Sequence, residues 1–266
     1  MSTFNHIQAH YSAWIWGSAI LLIMLVTQTT LIYLLNKILP HKKMLKDNAI
    51  ILEIFCISGT IYAILYGFLT FFVLNNYQSD VTSVTDEVKA IGNICRNISL
   101  SQDKIMISFI HKDFVEYLDI VIKKEWPLQK QGINTDIHTE FQNEGWMIIE
   151  KISKSIITMP LNPIIKKEVM DDLNDLYEAR GIRIHNSQLQ MPDIVWVITA
   201  LSGLFMLINV SIIGCSQLKI KIISAYLLTG SVGLMMILLA YINKPFINGS
   251  LFTETIYKDI QRDLMT

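Results

Sequence analysis

The sequence predicts an all-α integral membrane protein: four transmembrane helices, with a helical-bundle soluble domain inserted between the second and the third. Three observations carry this prediction. The 266 residues are 52% hydrophobic and only 17% charged, with a mean hydropathy of +0.40, which is too apolar for an ordinary soluble chain. Four apolar runs reach the roughly 20 residues needed to cross a hydrocarbon core about 30 Å thick. Between the second and third runs, residues 77–191 hold 17 of the 23 acids and 13 of the 22 basic residues.

The first span is expected over about residues 11–37, opening with Trp14 and Trp16 at the interfacial level that indoles favour. Thr27, Gln28, Thr29 and Thr30 interrupt its centre. A Gln facing lipid would leave amide groups unpaired, so this face should meet another helix, while the Thr hydroxyls can bond back to their own carbonyls. The residues before this span contain no Lys or Arg, so they lack the basic start of a cleaved signal peptide.

The second span, about 49–76, carries a single charge, Glu53, and passes without Pro into a polar stretch. There Val81, Val84, Val88, Ile91 and Cys95 keep three-to-four spacing, so one helix should leave the membrane and continue as a packed helix. Lys37, Lys42, Lys43 and Lys46 crowd the short connection between the first two spans. By the positive-inside rule that loop is cytoplasmic, which places the inserted domain on the extracytoplasmic side. Glu53 is expected as an interfacial carboxylate reaching those lysines.

Residues 77–191 read as helices only. One carries Ile105, Phe109, Val115, Leu118 and Ile122 on one side and is expected to end at Trp126-Pro127. A second lies near Glu144 to Thr158. The third starts at Asn162-Pro163, where a first-turn Pro loses nothing by lacking an N–H, and aligns Ile165, Val169, Leu173, Leu176 and Ile184. Together they predict a small antiparallel bundle. Its net charge, 13 − 17 = −4, argues against a nucleic-acid partner, because neutralising phosphates needs a basic surface. Residues 192–243 supply the third and fourth spans, with Gly203, Gly230 and Gly233 allowing close helix approach. The tail, 244–266, ends in an amphipathic helix through Phe252, Ile256, Ile260 and Leu264, suited to the membrane surface or to the bundle.

No catalytic constellation emerges, so an enzyme is not expected. The six His are scattered without HExxH or ligand-spaced pairs, and neither a phosphate-cradling lysine loop nor GxGxxG is present. No metal and no cofactor are expected. Cys56, Cys95 and Cys215 form neither a disulfide framework nor a metal site and are expected as small buried residues.

Several separated motifs nevertheless resemble those of the bestrophin-like four-helix membrane proteins, and the resemblance covers nearly the whole chain. Tyr62, Gly67 and Phe68 match a Y-x4-GF run in the second span. Glu87 matches an acid followed by a small apolar residue, with Val88 in place of the usual Ala. Glu125-Trp126-Pro127 matches the most distinctive tripeptide, EWP. Glu178, Arg180 and Arg183 match E-x-R-x-x-R, with Gly181 where a basic residue is common. Pro192 and Trp196 match the entry to the third span, and Lys244-Pro245-Phe246 with Gly249 match the exit of the fourth.

A short, Ile- and Lys-rich chain of four spans without a processed leader suggests a bacterial inner membrane, and the resemblance implies a protein that self-associates as a pentamer in the lipid bilayer and conducts small inorganic ions, with the second span lining the pore. On that implication Tyr62, Leu65, Phe68 and Phe72, which share a face at three-to-four spacing, are the pore-lining candidates; packing against neighbouring helices is the alternative use of such a face. Bestrophins hold the inserted domain in the cytoplasm, opposite to the orientation that the lysines give. A second functional expectation is a non-conducting membrane scaffold or sensor whose acidic domain binds a partner. In that case Glu87, Glu125, Arg180 and Arg183 would pair across the bundle to fix helix register. A third, proton coupling or catalysis centred on Glu53, has only an intramembrane acid in its favour.

Overall fold

A computed structural model describes residues 13–38, 48–130, 140–188, 191–215, 217–243, 246 and 254–265. All regular elements among them are helical. They are α1 (Ala13–Ile38), α2 (Asn48–Ile98), α3 (Lys104–Ile120), a π-helical turn (Val121–Glu125), α4 (Trp126–Lys130), α5 (Glu140–Thr158), α6 (Pro163–Gln188), α7 (Asp193–Ile212), α8 (Leu218–Ile242) and α9 (Thr255–Met265). α1, α2, α7 and α8 are the four helices long and apolar enough to cross a membrane. The Lys42, Lys43 and Lys46 connection, the 131–139 stretch, Lys244, Pro245, Gly249 and Phe252 lie outside the described residues.

The chain forms two compact units. One gathers α1, α7, α8 and the first part of α2. Its seam is built on α2 by Tyr62, Tyr66 and Val73, with Phe55 and Leu69 partly covered, against Met206, Val232 and Leu239 of α7 and α8. The spacing 55, 62, 66, 69, 73 is a heptad-like stripe, the pattern that one straight helix presents to its neighbours. α1 and α8 approach closely where Gly17 faces Ile237, and where a Cβ on Gly233 would sit 3.0 Å from Leu21 Cδ1. Gly230 meets nothing within 4 Å, so of the two glycines expected in α8 only Gly233 serves close packing.

Gln28 is fully buried and its Nε2 donates to Ser211 Oγ at 3.0 Å, while Thr27, Thr29 and Thr30 bond to the carbonyls of Ile23, Leu25 and Val26. Trp16 is buried as well, so its indole packs against neighbouring helices. Glu53 is exposed. At one end of this unit Asn48 and Gly214 bond reciprocally, side chain to backbone in both directions, at 3.0 and 2.9 Å.

The other unit gathers the remainder of α2 with α3 to α6 and α9. α2 runs unbroken for 51 residues, and beyond its apolar run it turns Val84, Ile91, Ile94, Cys95 and Ile98 inward. Facing them are Ile110, Phe114, Tyr117 and Leu118 of α3, Ile149, Ile152 and Ile156 of α5, and Val169, Leu173 and Leu176 of α6. Each such aliphatic side chain contributes about 1.5–3 kcal/mol on burial. Val81 and Val88 are only partly covered. Cys95 is buried, Cys215 half-buried and Cys56 exposed, so burial of all three thiols does not hold.

Helix ends follow from local chemistry. The Asp103 carboxylate accepts from Met106 N and caps α3, an N-cap role that short polar side chains favour. Asn162 Oδ1 accepts from Ile164 N at the start of α6, and Lys166 Nζ donates to the Ile157 carbonyl at the end of α5. The third helix does not end at Trp126-Pro127 as expected. Pro127 has no N–H for the Lys123 carbonyl and its ring crowds that oxygen. The chain widens by one residue instead, so that Trp126 N reaches back to Val121 O, and then continues as α4. The tail helix α9 lies on the core of this unit through fully buried Tyr257 and half-buried Ile256, Ile260 and Leu264.

Candidate functional site

Four charged side chains meet in the centre of the second unit with almost no solvent contact: Glu87 of α2, Glu125 of the π-helical turn, and Arg180 and Arg183 of α6. Arg180 and Arg183 are three residues apart and so share one face of α6. Arg180 forms a two-pronged pair with Glu125, Nη2 to Oε1 at 2.6 Å and Nη1 to Oε2 at 3.2 Å. Arg183 bridges the two acids, Nε to Glu87 Oε2 at 2.6 Å and Nη2 to Glu125 Oε2 at 2.9 Å. Two arginines against two glutamates leave the cluster neutral, the condition under which buried charges are tolerated.

Aromatic residues complete the shell. The Tyr117 hydroxyl donates to Glu87 Oε1 and accepts from Arg180 Nη1 at 3.0 Å. The Tyr257 hydroxyl of α9 donates to Glu87 Oε2 at 3.0 Å. The Arg180 guanidinium lies 5.2 Å from the Tyr117 ring centre and 5.0 Å from that of Trp146, within cation–π range. Trp126 packs edge-on against Phe246 and Tyr257, at 5.6 and 5.7 Å between ring centres. Gly145 makes room for the guanidinium, since a Cβ there would stand 2.2 Å from Arg180 Nη2.

Burial alone would push the Glu125 carboxyl up, but Arg180 and Arg183 outweigh it and hold the group below the ordinary glutamate value. Burial drives the Tyr117 and Tyr257 hydroxyls well up, so both stay protonated and act as donors. Every acid oxygen of the cluster is engaged by a guanidinium or a phenol. That arrangement locks four helices, α2, α3, α6 and α9, and the π-helical turn in one register; it presents no free nucleophile or base. Among the described residues no three His, Cys, Asp or Glu side chains group as metal ligands.

The other sequence-singled residues fall in distinct places. Tyr62 is buried in the span seam and Leu65 is half-buried, while Phe68 and Phe72 are 71% and 51% exposed. Gly67 is exposed with open space around it. Pro127 is half-buried, Pro192 is exposed at the start of α7, and Trp196 packs partly into the span seam. Glu178 is exposed and lines an open groove of about 560 Å³ between α2 and α6, with Asp86, Asn93 and Asp175. Sequence reasoning missed Tyr117, Gly145, Trp146 and Tyr257. A glycine inside a helical pattern, as at Gly145, signals close approach; the two tyrosines carry no such signal.

Four span-length apolar helices among the described residues, whose regular elements are all helical, one of the four continuous with a charged-core helical unit, define an integral membrane protein. The chain belongs to the bestrophin-like family, whose domain model matches residues 22–250. Two mutant structures of a bacterial bestrophin homolog from Klebsiella pneumoniae share its fold at 14% identity and a TM-score of 0.71; one comparison covers 96% of this chain and 98% of that one, the other 94% and 97%. A further crystal structure, described as a membrane protein, matches at 14% identity with a TM-score of 0.70 over 94% and 97% of the two chains. No curated protein matches.

Proposed function

We propose that the chain is one subunit of an oligomeric, bestrophin-like ion channel, with its spans in a bacterial inner membrane and α2 lining a pore shared between subunits. The observation that carries this reading is the split character of α2. Tyr62, Tyr66 and Val73 fill the seam inside the subunit, whereas Phe68 and Phe72 stay exposed on the single chain. A row of apolar side chains facing a central axis makes a hydrophobic constriction of the kind that gates by dewetting. Residues 77–191 are then a polar helical domain inserted between the second and third spans, extracytoplasmic by the lysines of the first connection. The Arg–Glu cluster serves to hold that domain rigid.

Native mass spectrometry of the protein in mild detergent tests the oligomer, with a closed ring of about five subunits expected from the family resemblance. Ion flux into liposomes tests conduction, and Phe68→Ala with Phe72→Ala should raise it. A monomer or simple dimer sinks the shared-pore reading. A second reading, a non-conducting scaffold or sensor, is favoured by one feature, the open acid-lined groove beside Asp86, Asp175 and Glu178. Robust folding with no flux from any ring would support it.

A further inference from the structure

Among the described residues of the span unit there are three lysines, Lys37, Lys219 and Lys221, and two acids, Glu53 and Asp193. All three lysines sit at one end. Lys37 is in the last turn of α1, and Lys219 and Lys221 are in the first turn of α8. The contact between Asn36 and Lys221 brings those two helix ends together. Asp193 opens α7, whose other end meets Asn48 through Gly214, so this acid belongs to the far side of the unit.

Lys221 differs from the other two. It is only 5% exposed, and its Nζ donates to Asn36 Oδ1 at 2.9 Å. Asn36 is itself exposed, so the lysine buries its stem between α1 and α8 and brings its ammonium out at the surface of the unit, a snorkelling geometry. No carboxylate among the described residues pairs with it; Glu53 makes no ion pair there. The C-terminal carbonyl end of α1 supplies partial negative charge, but among the described residues the hydrogen-bond partner of the ammonium is a neutral amide, which like a helix end carries no full countercharge. The flanking side chains are exposed and apolar: Ile38 at 70%, Leu218 at 56% and Ile220 at 50%.

We propose that Lys221, anchored by Asn36 and supported by Lys37 and Lys219, is a binding site for the phosphate of an anionic phospholipid. The ammonium donates to the phosphate oxygens, and the acyl chains run along Ile38, Leu218 and Ile220. The phosphate thereby gives Lys221 a full countercharge, which no carboxylate among the described residues gives it. A free phosphate ion offers the same charge chemistry and leaves the apolar surround unused, which is why the lipid is the ligand of choice. The site shares no residue with the pore candidates or the Arg–Glu cluster, so it stands or falls independently of the channel reading.

The test uses the full chain purified in mild detergent. Phosphatidylglycerol, phosphatidylcholine or inorganic phosphate is added, the thermal unfolding midpoint is followed, and retained lipid is counted by native mass spectrometry. Phosphatidylglycerol should raise the wild-type midpoint and be retained, and the other two should do neither. Lys221→Gln should lower retention about fivefold, the loss expected for one lysine near an anionic surface. Lys221→Arg should restore it, and Lys89→Gln, an exposed lysine paired with Asp86 in the other unit, should change nothing. If Lys221→Gln does not fold, Asn36→Leu removes the anchor and leaves the cation, and it should also weaken retention. Equal retention of phosphatidylglycerol by wild type and by the Lys221 or Asn36 variant overturns the proposal. So does an equal effect of phosphatidylcholine, while an equal effect of inorganic phosphate reassigns the site to a free anion and overturns the lipid.

Discussion

Arg183 Nε donates to Glu87 Oε2 at 2.6 Å with both side chains fully buried, joining the C-terminal part of α6 to α2, 96 residues earlier in the chain. Removing one partner of a buried pair strands the other charge. Arg183→Met should therefore destabilise the protein by about 3–5 kcal/mol. Replacing both residues at once, as Glu87→Leu with Arg183→Met, should cost clearly less than the single change. Denaturant unfolding of the purified chain measures both, and a double variant no better than the single one would contradict the pairing.

Gly145 and Gly181 both sit inside helices and make opposite predictions. Ala at 145 drives a methyl into the Arg180 guanidinium, and overpacking of this kind costs about 1–3 kcal/mol. Ala at 181, with nothing within 4 Å of its Cβ, should stabilise by up to about 1 kcal/mol through helix propensity alone. Thermal unfolding of the two variants side by side reads the sign directly.

Acid should weaken the cluster in a defined direction. Because Glu125 is held below its ordinary value in the folded chain, the unfolded chain binds its proton first as the pH falls. Its contribution is complete above the unfolded value of about 4.5 and is lost as the pH drops through the depressed folded one. Glu254, whose pKa is lowered to about 2 chiefly by its hydrogen bond from Lys130, adds to the same trend. The contribution of Glu125 should stay level from neutral pH to about 5 and be lost below that, so the gap in unfolding midpoint between the wild type and Glu125→Gln should be constant above about pH 5 and narrow below it.

In the span unit, Gly233→Leu should separate α1 from α8, because a Cβ at this position already meets Leu21 and Met24 at 3.0 and 3.2 Å. Gly230→Leu points into open space and should be tolerated. A lowered unfolding midpoint for the first and an unchanged one for the second is the expected pair. Equal effects would show that the close approach contributes nothing.

Membrane class, the four span-length helices and the long uninterrupted α2 were legible in the sequence because length, apolarity and the absence of Pro act locally, along one helix at a time. The stripe from Val84 to Cys95 and the Pro163 start of α6 followed from the same short-range rules. Family motifs singled out Glu87, Glu125, Arg180 and Arg183, residues whose charge alone would have put them on a surface. Partnership was a different matter. That Arg183 spans both acids, that Tyr257 of the tail closes over Glu87, and that Lys221 emerges beside Asn36 are distances between residues tens to hundreds of positions apart, which no periodicity encodes. The π-helical turn at Val121–Glu125 belongs to both levels. Pro127 dictates a local disturbance, but only packing decided whether the helix would stop there or widen and carry Glu125 into the core. Sequence fixes what each helix can bury; the tertiary structure selects which charge neutralises which, because an ion pair depends on the position of both partners.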